Sequence, residues 1–310
     1  MKLRKKALLP AIAMVLASVI ALSGVTYAWF TTSNEATVGT LDVNVAAANG
    51  IQISLDGAAW MSTLTSQDII DAITNQATGN YKNAVNQYPV GEIAPVSSAG
   101  DVSNGKLQMF FGAYNDAGLL TSVKEEEQAR TSGGNFIAFD LFVKSSMDQD
   151  MSLILGDAAS YVASSAKWGA ADSKTQAAVR VAFLPMGCDA ENPESASAAQ
   201  ALTGDGTVYI WEPNAGMRAA GVSATSDAYK GFYTEFPDGV KESELGDSHV
   251  KSVSTLKNAS DFEGLFPLKA GINKIRIYIW LEGQDVDCVN AISTGDFAVN
   301  LFFTVPEIEG

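Results

Sequence analysis

Between residues 275 and 281 the chain alternates, with Ile275, Ile277, Ile279 and Leu281 separated by Arg276, Tyr278 and Trp280. Successive side chains on a strand point to opposite sides, so a period of two predicts a strand with one buried face and one wet face. The same period runs through Phe297, Val299, Leu301, Phe303 and Val305. It also runs through residues 41–45, 51–55, 137–143 and 179–183. β-Branched and aromatic residues fill these stretches, and Gly, Asn, Asp and Pro separate them. Residues 106–111, 151–155 and 207–211 are shorter candidates. No strand-helix rhythm repeats. The pattern predicts an all-β protein, a two-sheet antiparallel β-sandwich with jelly-roll-like connections, and a closed barrel is its alternative.

Two long inserts interrupt the strands, at about residues 56–105 and 185–271. The first holds a predicted short helix at "SQDIIDAITNQ", with Ser66 as its cap and Ile69, Ile70 and Ile73 as its apolar stripe. Loops of this length commonly hold function. No proline-rich linker or fixed-period repeat divides the chain, so residues 29–310 are expected to form one decorated domain.

The N-terminus has a different pattern. Lys2, Arg4, Lys5 and Lys6 form a cationic head, residues 7–25 are almost wholly apolar, and Thr26-Tyr27-Ala28 supplies a small-x-small exit. Head, apolar run and exit predict a secretory signal peptide over residues 1–28, cleaved by a signal peptidase between Ala28 and Trp29. A retained transmembrane helix is the rival, but no basic stop-transfer cluster follows and Pro10 weakens a long helix. The expected location is therefore extracellular or at the cell surface, with no membrane attachment after cleavage.

Charge narrows the partners. The full chain carries a formal net charge of −15, and removing residues 1–28 strips four cations to leave about −19. Such a protein repels nucleic acid and anionic lipid. A hydrophobic fraction of 47% suits a folded chain with a large core.

Enzyme chemistry finds little support. His249 is the single histidine, without an H-E-x-x-H or a G-x-S-x-G beside it, and reads as a loop residue. The turns "DVSNG" and "GDGT" lack the Lys-Ser/Thr of a phosphate loop. Glu282, Asp285 and Asp287 crowd one loop and are a weak calcium candidate, because their spacing does not match a calcium-loop pattern. Trp60, Trp168, Trp211 and Trp280 suit core or rim packing better than a sugar platform. No cofactor or catalytic residue is expected. The only cysteines, Cys188 and Cys288, are a candidate disulfide in an oxidising compartment, with two buried thiols as the alternative.

The basic head and apolar run, "TYA" followed by Trp29 and Phe30, and then "VGTLDVNV" together resemble the TasA and camelysin family of secreted bacterial proteins with SipW-type signal peptides. The closing pattern "IWLEGQDVDCVNA…FAVNLFFTV" is similar to that of other SipW-type secreted proteins of gut-dwelling Gram-positive bacteria. The likeness covers residues 1–45 and 275–305. It implies a jelly-roll sandwich that is exported and assembles into matrix fibres. Camelysin-like members have also been described as metalloproteases, and this chain has no zinc motif to match.

These features together suggest a secreted, non-enzymatic protein of the biofilm matrix or cell surface that associates with itself or with other matrix proteins. The candidate assembly arm is Trp29 and Phe30 with Leu41, Val43 and Val45, added as a strand to a neighbouring molecule. The alternative is that these residues form an ordinary first strand. A monomeric adhesin that binds a glycan or host protein is the competing function.

Overall fold

The computed structural model describes residues 41–48, 50–74, 81, 86–114, 120–128, 131–145, 149–156, 159–163, 173–213, 231–233, 250–252, 255–256, 266–283, 285, 288 and 297–305. Its strands are β1 (Leu41–Ala47), β2 (Ile51–Ser54), β3 (Thr63–Leu64), β4 (Val102–Ser103), β5 (Lys106–Leu107) and β6 (Met109–Tyr114). They continue as β7 (Leu120–Glu125), β8 (Phe136–Ser145), β9 (Met151–Leu155), β10 (Tyr161–Ala163), β11 (Val179–Cys188) and β12 (Tyr209–Trp211). The last six are β13 (Gly231–Tyr233), β14 (Val250–Ser252), β15 (Thr255–Leu256), β16 (Phe266–Leu268), β17 (Asn273–Leu281) and β18 (Phe297–Thr304). Among the described residues three helices, α1 (Ser66–Thr74), α2 (Ser173–Ala178) and α3 (Ala196–Ala201), lie between them.

Two six-stranded sheets form the sandwich. One has the order β16-β9-β18-β1-β3, with β10 also on β18, and the other has the order β15-β12-β11-β17-β8-β2. Consecutive strands lie in opposite sheets at β1 and β2, β2 and β3, β8 and β9, β10 and β11, β15 and β16, β16 and β17, and β17 and β18. The two packed sheets are the expected β-sandwich. Two pairings depart from the antiparallel expectation: β1 runs parallel to β18, and β12 runs parallel to β15.

The core between the sheets is built from the apolar faces read in the sequence. Val43, Val45, Leu153, Leu155, Phe297, Val299, Leu301 and Phe303 come from the first sheet. Ile137, Phe139, Leu141, Val179, Val181, Phe183, Ile275, Ile277 and Ile279 meet them from the second. Phe183 stands edge-on to Phe266 and to Phe303 across the interface, with ring centroids 5.5 and 6.2 Å apart. Ile69 and Ile73 of α1 are buried in the same core and Ile70 packs against it, as the predicted stripe requires.

The cap of α1 differs from expectation. Thr65 precedes the helix, its hydroxyl accepts from the Asp68 N–H, and the Asp68 carboxylate accepts from the Thr65 N–H and hydroxyl. That reciprocal arrangement is a capping box. Ser66 is released for another task, accepting from the Val43 N–H at 2.8 Å and donating to the Val43 carbonyl at 3.1 Å. Its hydroxyl thereby takes the place of a neighbouring strand beside β1.

The edges of both sheets are short or interrupted. β16 has three residues, and Pro267 at its centre cannot donate to a further strand. At the opposite side, Met61 pairs with Ile53 of β2, and Thr63 and Leu64 pair with β1. The corner formed by residues 61–64 therefore ties the two sheets together.

The central sheet contains the main surprise. In β18 the burial alternates, as its sequence predicts. All nine residues of β17 are buried, and in β8 the first eight are. A strap of residues 86–114 and 120–128, largely from the first insert and the hairpin after it, closes over the outer face. Val96, Leu107 and Met109 of the strap form a second core with Phe136, Ala138, Ala182, Leu184, Tyr278 and Trp280. Gln87 extends the sheet by exchanging backbone hydrogen bonds with Ala138, and Val96 does the same beyond β17 with Leu281 and Gly283. Gly134 is required here. It sits at φ +91°, and a Cβ on it would come within 2.2 Å of the Gln87 amide nitrogen. The β4–β5 turn uses Asn104 and Gly105, both at positive φ, as a primed two-residue hairpin needs.

Phe139 lies at the centre of the inter-sheet core with no exposed surface. Replacing it with Ala should lower unfolding stability by about 3–5 kcal/mol, measured by urea denaturation of the mature protein.

Candidate functional site

The polar residues on the second face of β17 were expected to meet water. The strap covers them instead, so each must find a partner inside the protein. Asp140 of β8 stands directly opposite Arg276 of β17 in the ladder. Arg276 donates to its carboxylate through Nε at 2.6 Å and Nη2 at 3.1 Å. The Tyr81 hydroxyl donates to the same carboxylate at 2.5 Å, and the Lys274 ammonium is 3.4 Å away. Lys274 also donates to the carbonyls of Gln200 and Leu202, both at 2.9 Å. Arg276 reaches the strap through Nη1, which donates to the Gly105 carbonyl at 2.6 Å.

Burial works to raise the Asp140 carboxyl, but Arg276 and Lys274 outweigh it and hold the group below its ordinary value. Burial lowers Lys274, with Asp140 opposing. One turn of the pleat further along, the Tyr278 hydroxyl donates to Glu127 at 2.5 Å and accepts from the Leu107 N–H at 3.1 Å. Burial pushes the Glu127 carboxyl up to about 7, against the pull of Arg276.

A second cluster closes the far end of the same face. Arg180, opposite Trp280 in the ladder, pairs with Asp285 at 2.5 Å and with Glu212 at 3.2 Å. It also donates to the carbonyls of Ala177 and Val179. Glu282 accepts from the Trp280 indole at 3.0 Å and from the Ser97 hydroxyl of the strap.

These contacts revise several sequence expectations. Glu282 and Asp285, two of the three calcium candidates, direct their carboxylates to Arg180, Trp280 and Ser97, and serve to neutralise a buried cation. Asp287, the third, lies outside the described residues. Among the described residues, no group of three or more His, Cys, Asp or Glu side chains is placed to hold a metal ion. Trp211 and Trp280 are buried core residues. Trp60 lies near the surface with the Lys144 ammonium 4.3 Å from its ring centre. Trp168 and His249 lie outside the described residues.

The candidate disulfide is corrected too. Neither cysteine is bridged. Cys188 ends β11 opposite Asn273, whereas Cys288 follows the other end of the ladder, where Val179 meets Leu281. A nine-residue run of strand separates those ends by roughly 30 Å, far beyond the ~6 Å between Cα atoms that a disulfide spans. Cys288 packs in the inter-sheet core, and burial raises the half-buried Cys188 thiol.

Ala28, Trp29 and Phe30 lie outside the described residues. Leu41, Val43 and Val45 belong to β1, which pairs along its whole length with β18 of the same chain. Val43 and Val45 fill the protein's own core, so this part of the candidate arm takes the place of a first strand.

The sequence reading missed the charge layer. Its signals were the lone acid Asp140 in an apolar strand and the aromatic residues Tyr278 and Trp280 on the face assigned to water. No family model, curated protein or solved structure matches the chain.

Two outcomes follow from this geometry. Arg276→Met should cost about 3–5 kcal/mol in chemical denaturation, because it removes the two-point partner of the buried Asp140 carboxylate and leaves it only Lys274 and Tyr81. Asp140 titrates low in the folded protein, so its contribution should persist above the unfolded carboxylate value and disappear as pH falls through the folded one. An acid-unfolding midpoint shifted upward in Arg276→Met checks the sign. Thiol labelling under denaturing, non-reducing conditions should find two reactive cysteines per molecule.

Proposed function

We propose that the protein is exported and serves as a non-enzymatic component of the extracellular matrix or cell surface, assembling with its own kind by strand addition. The observation that carries this reading is the position of β1. The first described strand lies beside and parallel to the last, from Leu41 opposite Phe297 to Ala47 opposite Phe303. On its other edge it has β3 at Val45 and Ala46, and the Ser66 hydroxyl at Val43. A slot beside β18 shaped for an N-terminal strand can accept that strand from its own chain or from a neighbour, using the same backbone hydrogen bonds. Alternate residues such as Val43 and Val45 fix the register in either case.

The resemblance of residues 1–45 to the TasA and camelysin family supports export and fibre assembly. The net charge of about −19 after processing suits a soluble precursor that associates through backbone pairing and apolar pockets. Donation of a terminal strand from each copy to the next is a head-to-tail contact, which grows a filament where the rotation between copies does not close a ring.

The mature protein starting at Trp29 and a version starting at Gly39 separate the possibilities. Assembly through the arm should give filaments by negative-stain microscopy and fast-sedimenting species for the longer form, and weaker assembly for the shorter form with unchanged circular dichroism. Equal assembly by both would remove the arm from the mechanism. Monomers throughout would favour the adhesin.

A further inference from the structure

We propose that the Glu127 carboxyl is a protonation-sensitive latch, fastening the strap of residues 86–114 and 120–128 to the outer face of the central sheet. Three points of the strap converge on two neighbouring same-face residues of β17. The Gly105 carbonyl accepts from Arg276, the Leu107 N–H donates to the Tyr278 hydroxyl, and that hydroxyl donates to Glu127 at 2.5 Å. Tyr278 therefore joins the β5 hairpin to the returning end of the strap through one oxygen. Glu127 is only 8% exposed, and its second oxygen, Oε1, has no hydrogen-bond partner among the described residues. A carboxylate so placed gives up hydration on one oxygen, while a neutral carboxylic acid gives up much less.

The groups facing Glu127 come from three elements. Arg276 and Tyr278 of β17 and Lys106 of β5 favour its ionised form, and Asp140 of β8 disfavours it. Lys274, further along β17, is paired with Asp140. Burial is the largest influence and brings the carboxyl to about 7. When the strap lifts, Glu127 returns to water and its ordinary value of 4.5. The docked strap thus holds the proton more tightly than the open one. Docking is strongest below the open value, weakens as pH rises toward 7, and is level above it.

The arrangement links a neutral-range pH change to local opening without unfolding the sandwich, whose inter-sheet core lies on the opposite face of β17. Opening would uncover Phe136, Tyr278 and Trp280, an apolar surface that is sealed when the latch is protonated.

Hydrogen exchange of the mature full chain from pH 5 to pH 8, corrected for intrinsic exchange rates, tests the latch. Protection of strap amides, such as those of Leu107 and Phe110, should fall by up to roughly tenfold per pH unit between 5 and 7 and then level off. Amides at the centre of β11 and β17, which exchange only through larger openings, should stay far more protected than strap amides at every pH. Glu127→Gln should flatten the strap profile. Tyr278→Phe keeps the carboxyl but removes the donor that favours its ionised form, so its midpoint should move to higher pH. A wild-type strap without the slope would overturn the proposal, as would a slope retained in Glu127→Gln, strap amides as strongly protected as those of β17 at pH 8, or an unmoved midpoint in Tyr278→Phe.

Discussion

The cross-strand pair of Asp140 and Arg276 fixes how the rest of the molecule is arranged. A guanidinium and a carboxylate on the open face of a sheet could each be solvated by water. Once the strap covers that face, they must satisfy one another and the backbone around them. Arg276 accordingly binds Asp140 with one side of its fork and the Gly105 carbonyl with another. Asp140 also receives the Tyr81 hydroxyl, with Lys274 alongside. The β4–β5 hairpin and Tyr81 are held from this ladder position, and Lys274, opposite Phe142, adds the segment at Gln200 and Leu202. A buried ion pair contributes little net stability compared with an apolar substitute, but it strongly penalises misplaced partners.

The two sheets show where sequence periodicity succeeds and where it stops. In β18 the intervening residues Ala298, Asn300, Phe302 and Thr304 are half-buried, and the alternation describes the strand correctly. In β17 the same alternation is present, but Lys274, Arg276, Tyr278 and Trp280 are all buried. A period of two identifies the inter-sheet core face and says nothing of what lies over the other. Long amphipathic side chains look solvent-facing in a sequence, although they can equally line a second, polar interior. Of the apolar residues that cover them, Leu107 and Met109 alternate within a short strand candidate, and Val96 stands in the first insert with no period around it. Their common destination depends on tertiary contacts.

Local chemistry was more legible than long-range pairing. The apolar stripe of α1, the Asn104-Gly105 turn and the inward residues of β1, β8, β11 and β17 all follow from neighbours in sequence. The parallel partnership of β1 with β18 joins residues more than 250 positions apart, and no short motif encodes it. The cysteines illustrate the same limit. Both follow strands, and compartment chemistry favours a bridge, yet β11 and β17 run antiparallel and carry Cys188 and Cys288 to opposite ends of the ladder. The carboxylates at Glu282 and Asp285 similarly lie in a loop of the kind that binds cations. The cation they meet is Arg180, brought from about 100 residues earlier by the same ladder.

The covered face and the terminal strand divide the molecule into parts with different freedoms. The inter-sheet core packs β8, β11 and β17 against the first sheet through apolar side chains, on the face away from the charge layer. β1 contributes to that core with Val43 and Val45, but it enters from the chain's N-terminal side and is bordered by short partners on one edge. Replacing it by an identical strand from another copy changes connectivity without changing a single packing contact. The charge layer, in contrast, draws together the strap, β8, β11 and β17 of one chain and offers no equivalent exchange. The proposed exchange of β1 and the docking of the strap would therefore lie on opposite faces of the sheet that holds β8, β11 and β17.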